Sequence, residues 1–264
     1  MKNFDRVADI YDATREMPAH VLDRIVDRVI AATGATAETR FLEIGVGTGR
    51  IAVPFLERGY RITGVDISER MMDRLRAKVH GRDVALTLVQ ADITELPFED
   101  ASFDVVLAVH ILHLVSDWQR AVREARRVTA PTGYLVTGYE NSPPDAPANE
   151  MRCQWQTFVG EAGVTLSGRS GNWAAIQPDL IEQGSYAAVY RVARWEETVV
   201  PQAVLEEQRK RIFSHSWDVP NDVLETVNER MVAWSTDRYG SLDAALRSER
   251  EFLLSVNRFP IQEG

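Results

Sequence analysis

The chain has 264 residues, 45% of them apolar and 26% charged, the make-up of a globular protein with a core to bury in one large or two small domains. Its 39 acidic and 30 basic residues leave a formal charge of −9, which argues against nucleic acid as the main partner and suits a small neutral or cationic ligand. Cys153 stands alone, so one chain forms no internal disulfide or thiolate metal site; the polar start and the lack of any membrane-length apolar run point to a cytoplasmic enzyme.

Residues 19–33 repeat Val21, Leu22, Ile25, Val26, Val29 and Ile30 at helical spacing. Next, "RFLEIGVG" reads as a short buried strand ending in glycines, and "RIAVPFLERG" as a helix closed by Gly59. Pro54 removes a backbone donor there, predicting a kink or a helix start near Gly49. "RITGVDIS" is a second strand, with Ser68 capping a helix that carries Met72, Leu75 and Val79. "ALTLVQAD" and "FDVVLAVH" are the third and fourth strands, "DWQRAVREARRVT" a helix and "GYLVTGYE" the fifth strand. Alternation at these lengths predicts βαβ units with right-handed crossovers, hence an α/β doubly wound core over about residues 36–140.

The pattern then breaks. "NSPPDAPANE" is a Pro-rich loop, "MRCQWQTFVGEAG" a short helix, and "GVTLSGRSGNW" a mobile Gly- and Ser-rich stretch. A strand follows near 185–199, then a helix opening at Pro201, a helix over 220–239 and a last strand near 250–258. The expected architecture is a single domain, 1–264, on a mostly parallel seven-stranded sheet, with a helical cap from 1–33, 141–175 and 201–248. Trp155, Trp173, Trp217 and Trp234 lie in the inserted portion; part of this is packing, and part is read as a lid over an apolar acceptor pocket.

Gly45, Gly47 and Gly49 alternate after the first strand, where a Cβ would keep a ligand from the backbone. Nicotinamide and flavin sites space such glycines G-x-G-x-x-G and seat a pyrophosphate. Here the spacing differs, and Glu43 stands two residues upstream. A carboxylate repels a diphosphate and attracts a cation, so Glu43 favours S-adenosylmethionine, which carries a sulfonium and an ammonium. The alternative is a Glu that bonds nearby backbone donors. Asp66, ending the second strand, suits two ribose hydroxyls, a feature shared with NAD sites. Asp92, ending the third, suits an adenine amine, with Ile67 and Ile93 offering apolar faces to the base. Each acid alone reads equally well as a solvated strand end; three at successive strand ends favour a ligand.

Taken in order, "FLEIGVGTGR", "ITGVDIS", "QADITELPFEDASFDVVLAVHILHLV" and "REARRVTAPTGYLV" resemble the class I S-adenosylmethionine-dependent methyltransferases. More narrowly they are similar to the group holding the quinone-biosynthesis C-methyltransferases and many small-molecule methyltransferases, over roughly residues 1–140. The resemblance implies that Gly45, Gly47 and Gly49 border the methionine part, Asp66 holds ribose, Ile67 and Ile93 flank adenine, and Asp92 bonds its amine. It makes Asp104 structural. "ADIYDATR" is similar to a segment that folds over the cofactor in related enzymes, making Tyr11 and Arg15 candidates for closing the site, Arg15 near the cofactor carboxylate. Equally, this is a helix with a solvated Arg.

The expected reaction is in-line methyl transfer to a small-molecule acceptor, leaving S-adenosylhomocysteine, with alignment as the main task of the protein. His110 and His113, just past the fourth strand, are the catalytic candidates, either as base or as orienting group; His110 equally reads as packing beside the adenosyl group, and His113 as bonding backbone. Glu140, Asn141 and His215 rank behind them. No set of crevice carboxylates suits a metal, so none is expected. An NAD(P)-dependent oxidoreductase and a non-catalytic S-adenosylmethionine-binding module are the competing readings. Sequence leaves open the oligomeric state and whether carbon, oxygen or nitrogen is methylated.

Overall fold

The structure is a computed structural model that describes residues 4–166, 173–182 and 185–259. A one-turn helix α1 (Tyr11–Thr14) is followed by α2 (Ala19–Thr33), which buries Val21, Ile25, Val26 and Val29 and stops at Gly34 in the left-handed region. The four residues of β1 (Phe41–Ile44) are all buried, as both faces of a parallel strand must be. Helix α3 (Ala52–Glu57) begins three residues after Gly49 and holds Pro54 in its first turn, where its missing N–H has no intrahelical acceptor to lose. Strand β2 (Ile62–Asp66) leads to α4 (Glu69–Val79), capped as expected by Ser68, whose Oγ accepts from the Met71 N–H at 3.1 Å. Then come β3 (Leu86–Gln90), β4 (Phe103–Val109), α5 (Trp118–Val128) and β5 (Thr129–Asn141). The remainder is α6 (Pro147–Glu161), α7 (Trp173–Glu182), β6 (Tyr186–Val199), α8 (Pro201–Arg209), α9 (Asn221–Tyr239) and β7 (Leu246–Arg258). Residues 167–172, most of the Gly- and Ser-rich stretch expected to be mobile, lie outside the described residues, as does the side chain of Trp173.

The strands form one seven-stranded sheet in the order β3-β2-β1-β4-β5-β7-β6, with β7 antiparallel, in agreement with the expected mostly parallel doubly wound sheet. Strand β1 pairs in parallel with β2 and β4, so Glu43 sits level with Gly64 on one side and Leu107 on the other. Chain order reverses between β1 and β4. That switch point opens a crevice at the carboxyl ends of the strands, where open α/β sheets bind ligands.

Two compact units make up the chain, one of residues 1–139, 170–193 and 252–264, the other of 140–169 and 194–251. In the first, Leu42, Ile44, Val106 and Ala108 of the sheet pack with Trp118, Val122 and Ala125 of α5 and with Ile176 and Leu180 of α7. The second has its own core, with Met151, Trp155 and Val159 of α6 against Leu205 of α8 and Val227 and Met231 of α9. There Arg250 bonds Glu197 at 2.6 Å and Glu140 at 2.8 Å.

Candidate active site

One cleft of the first unit is lined by the loop after β1, the ends of β2 and β4, and the N-terminal segment. Positive φ angles at Gly45 and Gly49 turn this loop, and both positions also forbid a side chain. A Cβ at Gly45 would lie 2.4 Å from Ile111 Cγ1, and one at Gly49 would lie 2.3 Å from Leu75 Cδ1. Two of the three glycines are therefore demanded by protein packing. Gly47 is the one whose N–H is aimed at a functional group: it donates to Asp66 Oδ2 at 2.9 Å. The Ser68 N–H donates to Asp66 Oδ1, also at 2.9 Å. Asp66 lines the cleft at 8% exposure; burial raises its carboxyl pKa against these backbone donors.

Glu43 is 3% exposed and also lines the cleft. Burial pushes its carboxyl up to about 8, and the nearby Asp66 adds to the rise, while Arg50 and the Ala52 N–H oppose it. Its Oε2 has no hydrogen-bond partner. A buried carboxylate with an open lone pair, beside a second acid, is an environment that a cation stabilises and a phosphate does not.

The N-terminal segment closes one side of the cleft with Phe4 and Tyr11. Thr48 Oγ1 of the glycine loop donates to Asp12 at 2.6 Å, and Lys78 bonds both Asp12 and the Thr48 carbonyl at 2.8 Å. Ser68 donates to Asp5, and Asp9 accepts from Arg70 and Arg74. Arg15 does not line the cleft; its guanidinium lies 4.6 Å from the Tyr11 ring centre, and its carbonyl accepts from Arg50 at 2.9 Å. His110, also on the lining, has φ +54°, a left-handed conformation that histidine adopts more readily than most residues but rarely. Its N–H donates to the Gly138 carbonyl at 3.0 Å, and its ring meets Phe252 edge-on at 5.8 Å.

A sequence family described as a methyltransferase domain matches residues 42–137. Demethylmenaquinone methyltransferase of Beutenbergia cavernae is 31% identical over 197 residues, 73% of this chain and 80% of that protein. The chain belongs to the class I S-adenosylmethionine-dependent methyltransferases. The 27-O-demethylrifamycin SV methyltransferase of Amycolatopsis mediterranei is 37% identical over 118 residues; that match spans 44% of this chain and 43% of the relative, less than half its length. The YcgJ protein of Bacillus subtilis has the same fold, with a TM-score of 0.61 at 20% identity, covering 94% of this chain and all of that one.

The residues present fit the methyltransferase cofactor on their own chemistry, through the open Glu43 oxygen and the paired acids beside the loop. Of the residues expected from sequence, the cleft gathers Tyr11, Glu43, Gly45, Gly47, Asp66 and His110. Arg15, Gly49, Ile67, Asp92, Ile93 and His113 are not among its lining. Asp92 is half-buried and accepts from Thr94 N–H at 2.9 Å and Thr94 Oγ1 at 2.8 Å, while Ile93 is fully buried in the core. His113 occupies a 3-10 turn after β4. Its ring meets solvent, yet the protein crowded around it and His110 beside it lower its pKa to about 4, so it is neutral at pH 7. Asp104 pairs with Arg40 at 2.7 Å, a structural role. Sequence reasoning missed Phe4, Thr48 and Arg50. Arg50 was within reach, since a buried Glu43 calls for a nearby cation and Arg50 directly follows the last glycine.

Proposed function

We propose that this methyltransferase moves the sulfonium methyl of S-adenosylmethionine, in line, to a small-molecule acceptor at the cleft between β1 and β4. The observation that carries the reading is Glu43, whose buried, unpartnered oxygen lines that cleft. When bound, the cofactor supplies a methyl group already activated by positive charge. Glu43 receives the ammonium of its amino-acid end, and Arg50, on the same lining, balances the carboxylate. Asp66 keeps one lone pair of each oxygen on backbone N–H groups and offers the other to the ribose hydroxyls. Asp92 and Ile67, both half-buried, hold the adenine in this reading, with Ile93 packed in the core behind them. Phe4 and Tyr11 exclude water from one side. His110 faces the acceptor, orienting it and taking its proton where the acceptor must lose one. His113 assists only as a neutral neighbour.

The acidic charge balance of the chain supports a small acceptor over nucleic acid. Two similar enzymes are named for demethylmenaquinone and for 27-O-demethylrifamycin SV, so both open the acceptor search. Methyl-labelled cofactor incubated with demethylmenaquinone, 27-O-demethylrifamycin SV and a metabolite extract is expected to label a small molecule. Label appearing only in protein or nucleic acid would overturn the reading.

A further inference from the structure

We infer that Asp12 is a positioning residue, the hub of an ionic latch that fastens the N-terminal segment over the donor cleft and sets how fast the donor leaves. The inference rests on the donor reading above. Asp12 sits in the single turn of α1, one residue after Tyr11, which lines the cleft. Its two carboxylate oxygens reach separate elements. Oδ1 accepts from Thr48 Oγ1 at 2.6 Å on the glycine loop, and Oδ2 pairs with Lys78 Nζ at 2.8 Å on α4. Lys78 in turn donates to the Thr48 carbonyl at 2.8 Å, closing a three-residue ring in which the side chains of Asp12 and Lys78 clasp one loop residue. Thr48 itself is 1% exposed and is flanked by Gly47 and Gly49. The loop that must hold its shape around the donor is thereby tied to the segment that covers it.

Other contacts of this segment repeat the same chemistry. Asp9 pairs with Arg70 and Arg74, and Asp5 accepts from Ser68, so three aspartates at positions 5, 9 and 12 bind one side of the glycine loop and α4. Val7 and Ala8 are its buried apolar anchors in this stretch. Asp12 and Lys78 are 46% and 33% exposed, and Asp9 is 58% exposed, so solvent and salt reach the latch. A closure held in part by such pairs is loosened by salt, although Val7 and Ala8 must also leave their packing for it to open. It also makes donor release depend on ionic strength, which a purely apolar lid would not.

The test is the dissociation rate of S-adenosylhomocysteine, by stopped flow, for wild type, Asp12→Asn, Lys78→Met and the control Asp27→Asn, whose exposed pair with Arg58 lies outside the site. Salt is varied from about 0.01 to about 1 M, which shortens the screening length from about 30 to about 3 Å. Wild type is expected to release the ligand faster as salt rises. Asp12→Asn should release it roughly 10-fold faster at low salt and show a shallower salt dependence, the Asp9 pairs remaining, with KM for the donor rising more than kcat falls. Lys78→Met, which keeps the Thr48 bond, should fall between the two, and Asp27→Asn should match wild type. Equal melting temperatures for Asp12→Asn and wild type separate the latch from general unfolding. A wild-type dissociation rate and salt slope in Asp12→Asn would overturn the latch alone; a wild type that binds neither cofactor form would overturn the donor reading with it.

Discussion

Glu43 concentrates the chemistry of the site and its cost. Its ordinary carboxyl value of 4.5 is pushed up to about 8 by burial. Between those values the unfolded chain has already released this proton while the folded chain still holds it. Stability of the ligand-free protein from this group is therefore lost as pH rises from 4.5 toward about 8. Glu43→Gln is expected to melt higher than wild type at alkaline pH, each kcal/mol recovered being worth about 2–4 °C at this size, and to bind S-adenosylmethionine far more weakly. Calorimetry of both proteins without ligand checks the first half, and a donor titration the second. His110 offers a separate test because its left-handed φ suits glycine. Replacing it with glycine keeps the backbone and removes the imidazole, so kcat should drop by about 10²-fold or more with stability retained. His110→Ala should be less stable than His110→Gly by about 1 kcal/mol, read from denaturant midpoints.

At the scale of elements, the glycine loop is held by packing as much as by ligand approach. Gly49→Ala adds a carbon 2.3 Å from Leu75 Cδ1 at φ +78°, so it should cost about 2–4 kcal/mol and shift the helix that carries Lys78 away from the loop. Urea unfolding measures the cost, and the loss of donor affinity should exceed that of an equally destabilising core change such as Leu56→Ala. The elements themselves were readable because their causes are local. Strands β1 and β4 announce themselves as apolar runs between turn residues, and Ser68 marks the start of α4 by its hydroxyl. Of the two outcomes expected from Pro54, a kink or a start near Gly49, the helix takes the second, beginning at Ala52 with Pro54 in its first turn. The place of Phe4 over the cleft had no sequence signal. It depends on Asp5, Asp9 and Asp12 finding cations and hydroxyls from about 36 to 66 positions away, which spacing alone does not reveal.

For the whole molecule, the chain spends its acidic excess unevenly in purpose. Many carboxylates meet arginines on the surface, while Glu43 and Asp66 are buried where parallel strands end. The second unit has its own apolar centre around fully buried Trp155. Trp155→Ala should cost about 3–5 kcal/mol of stability, followed by near-UV circular dichroism and thermal melting. The fold and the acids at the ends of its strands were legible because the sheet dictates where acids fall, yet Asp92, Ile67 and Ile93 do not line the cleft; the acceptor was not legible, because methyl transfer asks mainly for alignment and leaves no fixed set of residues behind.

The central claim is that the cleft takes a cation against a buried acid. Isothermal calorimetry of S-adenosylmethionine near pH 6.5, in two buffers of different ionisation enthalpy, tests it directly. Binding should release close to one proton, from Glu43, whose ligand-free value lies near 8. Affinity should rise with pH up to about 8 and then fall as the α-amino group of the donor loses its charge. Tight binding with no proton release, or no binding while NADH binds, would contradict the account.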